Sequence, residues 1–196
     1  AWLMGSAGDD DVGDKLRILV DIGHPAHVHF FKYFIREMEG RGHTVLVTGY
    51  DKDHSNELLD MYNICHTTTV RYGKNLATKM YQNSKLALIL RRIIMRNNIN
   101  FAIGLGAYHM AWACLGTGCK SFVLTDSEHA RVINTLSKIA CTNLLTPSCY
   151  RIDEGPKQVR YNGYHELAYL HPNRFIPDPS VLDELGVGKD EKYVIV

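Results

Sequence analysis

An apolar strand, Leu16 to Val20, runs straight into Asp21-Ile22-Gly23-His24-Pro25-Ala26-His27-Val28-His29-Phe30, so three histidines fall where a strand turns into an amphipathic helix. This junction constrains the fold more than any other stretch. A strand that feeds directly into a helix fits a βαβ unit, in which the next strand runs parallel to the first. The amide groups and positive dipole end of a helix start favour anionic groups, and a histidine there can move a proton near neutral pH. The motif points to chemistry on, or recognition of, a polar and even phosphorylated ligand.

The same alternation continues down the chain. Helix Ala26 to Gly40 ends on a glycine, and strand Thr44 to Thr48 follows. Helix Ser55 to Tyr62 leads to a strand near Ile64 to Thr68, and a long helix, Lys79 to Asn97, leads to Phe101 to Ile103. Then come helix Tyr108 to Leu115, strand Ser121 to Leu124, helix Glu128 to Ala140 and strand Asn143 to Thr146. Strands separated by helices imply right-handed crossovers and a Rossmann-like α/β architecture, a parallel sheet flanked by helices. In such a sheet the ligand site lies at the carboxyl ends of the strands.

With 45% hydrophobic residues, the chain of 196 has enough apolar surface for one sizeable core, expected over residues 15–170. Residues 1–14, with the acidic run Asp9-Asp10-Asp11 and no periodicity, read as a tag or disordered tail. Residues 171–196 read as a Pro-rich linker, a short helix around Val181 to Leu185, and a strand beginning at Glu191 that opens a truncated second domain. Cys65, Cys114, Cys119, Cys141 and Cys149 are odd in number and lack paired zinc spacing, so buried or free thiols in a reducing cytoplasm are expected. No uncharged apolar run approaches the roughly 20 residues of a membrane-spanning helix.

Net charge is +1, yet no acidic residue lies between Asp60 and Asp126, while Arg71, Lys74, Lys79, Lys85, Arg91, Arg92, Arg96 and Lys120 all do. Most of these sit on or before helix 79–97, whose Leu86, Ile89, Leu90, Ile93 and Ile94 repeat at helical spacing and form a buried stripe. The bland reading of the charges is a solvated face. The functional one is a docking face for anionic lipid headgroups or a polyanionic substrate, that is, peripheral contact at the inner face of a membrane. Without interleaved aromatics or a recognition motif, no nucleic-acid partner is expected.

Three strand ends carry unusual residues. The first is the histidine loop, with Gly23, His24, Pro25, His27 and His29. The second is Gly104-Leu105-Gly106-Ala107-Tyr108-His109, whose glycines let a backbone approach a ligand, although Gly-x-Gly also serves ordinary tight turns. The third is Thr125-Asp126-Ser127-Glu128-His129, where helix capping by Asp126 or Ser127 accounts for part of the pattern but not for His129. Their recurrence at one sheet edge favours a site.

These residues resemble a known family. Asn100 to Tyr108 resembles the strand and Gly-Gly-Tyr turn of MurG-type peptidoglycan glycosyltransferases. Phe122-Val123-Leu124-Thr125-Asp126, with Asn134 and Ser137 to Ala140, resembles the next strand, acidic turn and helix. Ala26-His27-Val28 is similar to their Gly-His-Val, and Tyr161-Asn162-Gly163-Tyr164-His165 stands where their Gly-Asn-Pro-Val segment would. The wording Gly-His-Pro-Ala-His-Val-His-Phe-Phe resembles more closely still a GT-B-like family of archaea and bacteria known as a domain of unknown function, related also to UDP-GlcNAc 2-epimerases. Pro25-Ala26 in place of a glycine-rich turn, and Tyr164-His165 in place of Pro-Val, depart from MurG and leave the acceptor open.

The resemblance implies the amino-terminal, acceptor-side half of a GT-B glycosyltransferase or sugar-nucleotide epimerase, inactive alone. The implied partners are a nucleotide sugar, held mainly by a carboxy-terminal domain, and a glycan or lipid-linked acceptor; no cofactor is implied. His27 becomes the candidate base or acceptor-orienting residue, and Asp126 the second candidate catalytic residue. Gly23, His24, Pro25, His29, Gly104, Gly106, Tyr108, Glu128, His129, Gly163, Tyr164, His165 and Glu166 become candidate substrate-binding residues, with the last two equally readable as the cap of a link. Two alternatives stay open: a non-catalytic binding module, and a metal-dependent hydrolase using His24, His27 and His29 with Asp126, Glu128 and His129. Against the second, His27 and His29 point in different directions on a helix. A bare cleft face is also expected to favour self-association into a homo-oligomer.

Overall fold

The computed structural model describes residues 15–51, 54–71, 76–188 and 191–194; the tail at 1–14 lies outside the described residues. The described strands form one parallel sheet of seven: β1 (Arg17–Ile22), β2 (Thr44–Asp51), β3 (Thr67–Arg71), β4 (Phe101–Leu105), β5 (Lys120–Leu124), β6 (Asn143–Pro147) and β7 (Gln158–Tyr161), in the order β3-β2-β1-β4-β5-β6-β7. Between β1 and β6 run α1 (Pro25–Gly40), α2 (Ser55–Met61), α3 (Leu76–Arg96), α4 (Tyr108–Cys114) and α5 (Arg131–Ala140), while the short α6 (Leu167–Leu170) and α7 (Ser180–Glu184) follow β7. This is the expected Rossmann-like α/β architecture. The order reverses between β1 and β4, which opens a crevice at the carboxyl edge.

Both faces of the sheet are buried, which is why β1 reads as an almost unbroken apolar run. Ile18, Val20 and Ile22 pack with Val28, Phe31, Ile35 and Met38 of α1 on one face. Leu19 points the other way, into a layer made by Leu86, Leu90 and Ile94 of α3 with Met110 and Ala111 of α4. Of the expected α3 stripe, Leu86, Leu90 and Ile94 are buried, and Ile89 and Ile93 pack against them half-buried. Lys85, Leu88, Arg92, Met95 and Arg96 are exposed and fall on one side of the helix. Arg91 is turned inward, donating to the carbonyls of Ala113 and Leu115 at the end of α4. Of the other expected basic side chains, those of Arg71, Lys74 and Lys79 lie outside the described residues.

The amino edge of the sheet is stitched by side chains. Asn100 Oδ1 accepts from Arg17 N–H at 2.6 Å, its own N–H returns to the Arg17 carbonyl, and its carbonyl accepts from Lys120 N–H. Ser121 and Thr142 exchange backbone-to-hydroxyl bonds between β5 and the start of β6.

Several boundaries differ from expectation, among them α3, which starts at Leu76 rather than Lys79, and β2, which runs on to Asp51 rather than ending at Thr48. β3 starts at Thr67 rather than Ile64, because Asn63 takes a left-handed φ of 54° and Ile64 N–H returns to the Leu59 carbonyl, closing α2 with Ile64 buried. α5 starts at Arg131 rather than Glu128, and neither Asp126 nor Ser127 caps it: Ala130 is the N-cap, and Ser127 Oγ donates to Asp126 instead. β7 and α6 extend the domain past the last expected strand. Residues 191–194, where a strand is expected to begin, form no strand.

Candidate functional site

At the carboxyl edge a cleft of about 420 Å³ runs from the start of α1, over the ends of β4 and β5, to the start of α5. His27, Phe30, Gly106, Asp126, Ile133, His165, Glu166 and Tyr169 are among its walls. Four separated segments of the chain therefore meet here, from the loops after β1, β4, β5 and β7.

His24 is the N-cap of α1, and its Nδ1 accepts from Ala26 N–H at 3.2 Å, ahead of the N1 position where Pro25 sits without a donor to satisfy. One turn on, His27 Nδ1 accepts from Gly23 N–H at 3.2 Å. Burial pushes the His27 imidazole down to about 4, assisted by the nearby His24 ring, so it is neutral at physiological pH. An Nδ1 that accepts leaves the ring proton on Nε2. His29 lies elsewhere: its ring meets Tyr62 edge-on at 5.7 Å and Tyr169 at 5.8 Å, and burial, helped by the Lys32 charge, lowers its pKa.

His165 is buried on the cleft wall, its ring stacked on Tyr161 and edge-on to Phe30 at 4.9 Å. Its Nδ1 lies 3.0 Å from Asp126 Oδ2, while Nε2 is buried with no partner among the described residues. Burial lowers the His165 pKa, and the Asp126 carboxylate opposes that shift.

The expected site residues thus divide. His27, Gly106, Asp126, His165 and Glu166 line the cleft, with Gly106 at φ +57° where β4 leaves for α4. Gly23 holds the His27 ring, and His24 and Pro25 build the helix start beside it. Gly104 sits one layer below: a Cβ there would lie 2.7 Å from Ala107 Cβ and 3.2 Å from the Asp21 carbonyl. Glu128 turns away to accept from Arg151 N–H at 2.6 Å, and His129 and Tyr164 are exposed; none of the three lines the cleft. Tyr108 is half-buried against His109, and Gly163 is half-buried under Tyr161.

His24, His27 and His29 do not converge, each ring being committed to a different neighbour, and among the described residues no three His, Cys, Asp or Glu side chains group as metal ligands. The three-histidine hydrolase centre is not built by this geometry.

A polar cluster absent from the sequence reading lies beneath the crevice. Asp21, in β1, is paired in register with Thr48 and Gly104. Its carboxylate is 1% exposed; Oδ1 accepts from Thr48 Oγ1 at 2.8 Å, and Oδ2 accepts from Tyr50 OH at 2.6 Å and from His109 Nε2–H at 3.0 Å. Tyr50 OH and His109 Nε2 are also in direct contact, and His109 Nδ1 has no partner among the described residues. Burial pushes the Asp21 pKa up, but the bonds from His109, Tyr50 and Thr48 outweigh it and hold the carboxyl below its ordinary value. The one signal in the sequence was an acid inside a strand otherwise apolar on both faces.

The model of the family described as protein of unknown function DUF354 matches residues 16–196. The chain belongs to the DUF354 family. An uncharacterised protein of Methanocaldococcus jannaschii is 22% identical over 190 residues, covering 93% of this DUF354 chain and 56% of its own length. Solved structures share the fold at low identity. A UDP-N-acetylglucosamine 2-epimerase superposes with a TM-score of 0.64 at 11% identity, over 88% of this chain and 55% of that one. MurG of Acinetobacter baumannii gives 0.60 at 11%, over 74% and 44%. A glycosyltransferase of Rickettsia africae gives 0.53 at 17%, over 91% and 51%. The DUF354 chain thus has the Rossmann-like fold of a GT-B amino-terminal domain and spans about half the length of the proteins it matches. No helix among its described residues is long and apolar enough to cross a membrane.

Proposed function

We propose that this chain is the acceptor-side half of a glycosyltransferase that moves a sugar from a nucleotide sugar to a glycan or lipid-linked acceptor. The observation that carries the reading is the cleft at the carboxyl edge, where His27, Asp126 and His165 come together from three separate loops. Sugar transfer needs a group to take the acceptor hydroxyl proton and charge to balance the departing nucleotide phosphate. An imidazole in the cleft answers the first need, and a carboxy-terminal domain facing the cleft would answer the second. Phe30 and Tyr169 line the same cleft and offer aromatic faces for the apolar face of a sugar ring.

A sugar-nucleotide epimerase is the second reading, favoured by the likeness to the UDP-N-acetylglucosamine 2-epimerase. Titration calorimetry of the full-length protein with UDP-N-acetylglucosamine and UDP-glucose, with and without chelator, tests both. Binding unaffected by chelator supports a nucleotide-sugar enzyme, and the product then separates the two: inversion at C2 without nucleotide release marks the epimerase, and UDP release the transferase. No binding of either nucleotide sugar rejects this reading.

A further inference from the structure

The two cleft histidines are held in opposite tautomers. His27 Nδ1 accepts from Gly23 N–H, so Nε2 carries the proton and the ring can only donate to a ligand. His165 is the reverse. Its Nδ1 faces the Asp126 carboxylate at 3.0 Å, which can only accept, so Nδ1 carries the proton and Nε2 keeps its lone pair. That Nε2 is buried and unpartnered among the described residues, on a side chain 9% exposed that lines the cleft beside His27. A buried acceptor left without a donor is costly unless a ligand supplies one.

Resting on the transferase reading, we propose that His165, oriented by Asp126, is the base of the reaction, and that His27 is a hydrogen-bond donor to the acceptor. The acceptor hydroxyl gives its proton to His165 Nε2 as its oxygen bonds to the anomeric carbon. The bond from that carbon to the phosphate oxygen breaks, and its electron pair leaves with the nucleoside diphosphate. Asp126 balances the imidazolium and is a positioning residue, since it acts through His165. The charged or titratable groups facing His165 are Asp126, Glu166, His27 and the phenol of Tyr161, which stacks on its ring. The ring is neutral, and so able to accept, at physiological pH, as burial dictates.

Two experiments test this. Long-range proton–nitrogen spectra of the 15N-labelled protein at pH 7 are expected to show His165 protonated on Nδ1 and His27 on Nε2. An Nε2–H tautomer at His165 overturns the assignment whatever the activity. In the full-length protein, UDP release from UDP-N-acetylglucosamine and UDP-glucose, with water as the slow acceptor, is compared across variants. His165→Gln is expected to lower kcat by about 10²–10⁴-fold with KM nearly unchanged, and added imidazole to restore part of the rate in His165→Ala. Asp126→Asn is expected to move the acidic limb of the pH–rate profile to lower pH, a shift that a purely structural role would not give. His165→Gln as active as wild type sinks the base while leaving the transferase reading intact. If wild type neither binds nor turns over a nucleotide sugar, that reading falls instead, and the tautomers alone decide whether the pair is held as described.

Discussion

Replacing Asp21 by alanine tests whether the cluster beneath the crevice holds the fold. The carboxylate accepts three hydrogen bonds, from Thr48, Tyr50 and His109, and is almost wholly enclosed. At about 1.5–3 kcal/mol for each bond to an ionised group, the gross contribution is roughly 5–9 kcal/mol. Dehydrating the carboxylate costs several kcal/mol of that, and truncation takes this acceptor away from three buried groups, so the net loss expected is about 3–5 kcal/mol. Asparagine keeps one carbonyl oxygen for Tyr50 and His109 and can turn its amide to the Thr48 hydroxyl. Only the charge is lost, and about 2 kcal/mol is expected. Urea titration followed by circular dichroism, extrapolated linearly, reads both values. If Asp21→Ala stays within about 1 kcal/mol of wild type with an unchanged m-value, the cluster contributes nothing net and the reasoning fails. Acid should expose the same interaction. Since folding holds the carboxyl below its unfolded value, its contribution is complete above about pH 4 and is lost as pH falls through the folded value; Asp21→Asn should flatten that limb.

Gly104→Ala is expected to lower stability by about 1–3 kcal/mol, because the new methyl meets Ala107 Cβ at 2.7 Å and the Asp21 carbonyl at 3.2 Å; an unchanged Tm by calorimetry would refute the close approach. His27 takes a proton near pH 4 when folded but near 6.5 when unfolded, so stability should fall as pH drops through that window. His27→Gln should lessen that slope in urea titrations at pH 7, 5 and 4, leaving the part due to His29 and His165, whose pKa values burial also lowers, and an unchanged slope shows that other groups produce it. If the exposed Lys85, Arg92 and Arg96 side chains dock on anionic lipid, the protein should sediment with phosphatidylserine-containing vesicles at low salt and lose this on charge reversal of the three. Equal sedimentation of the reversed variant rejects that face.

The alternation of strands and helices was legible because both faces of the sheet are covered, so the strands announce themselves as apolar runs and the helices by their stripe. β7 did not, since Gln158-Val159-Arg160-Tyr161 is four residues long at a sheet edge, with no buried residue to mark it. The candidate cleft was readable where its residues lie in one short stretch of chain, as His27 and the Gly23 that holds it do. The union of His165 with Asp126 was not, because it is created by the parallel order of β5, β6 and β7, which brings together residues 39 positions apart. Asp21, Tyr50 and His109 escaped for the same reason: register, not spacing, makes them neighbours. Glu128 and His129 looked like site residues from their position after β5, but a backbone amide at Arg151 draws Glu128 off.

The stitching of the amino edge by Asn100, Ser121 and Thr142 separates two burdens that many domains carry in one place. Part of the strand alignment is thus secured between β1, β4, β5 and the start of β6 at the end of the sheet away from the cleft. The rim around His27, Gly106, Asp126 and His165 is therefore where a change of sequence should disturb that alignment least. A chimera carrying another member's rim on this base should keep its stability and take on the donor's ligand preference, so selectivity becomes a portable part.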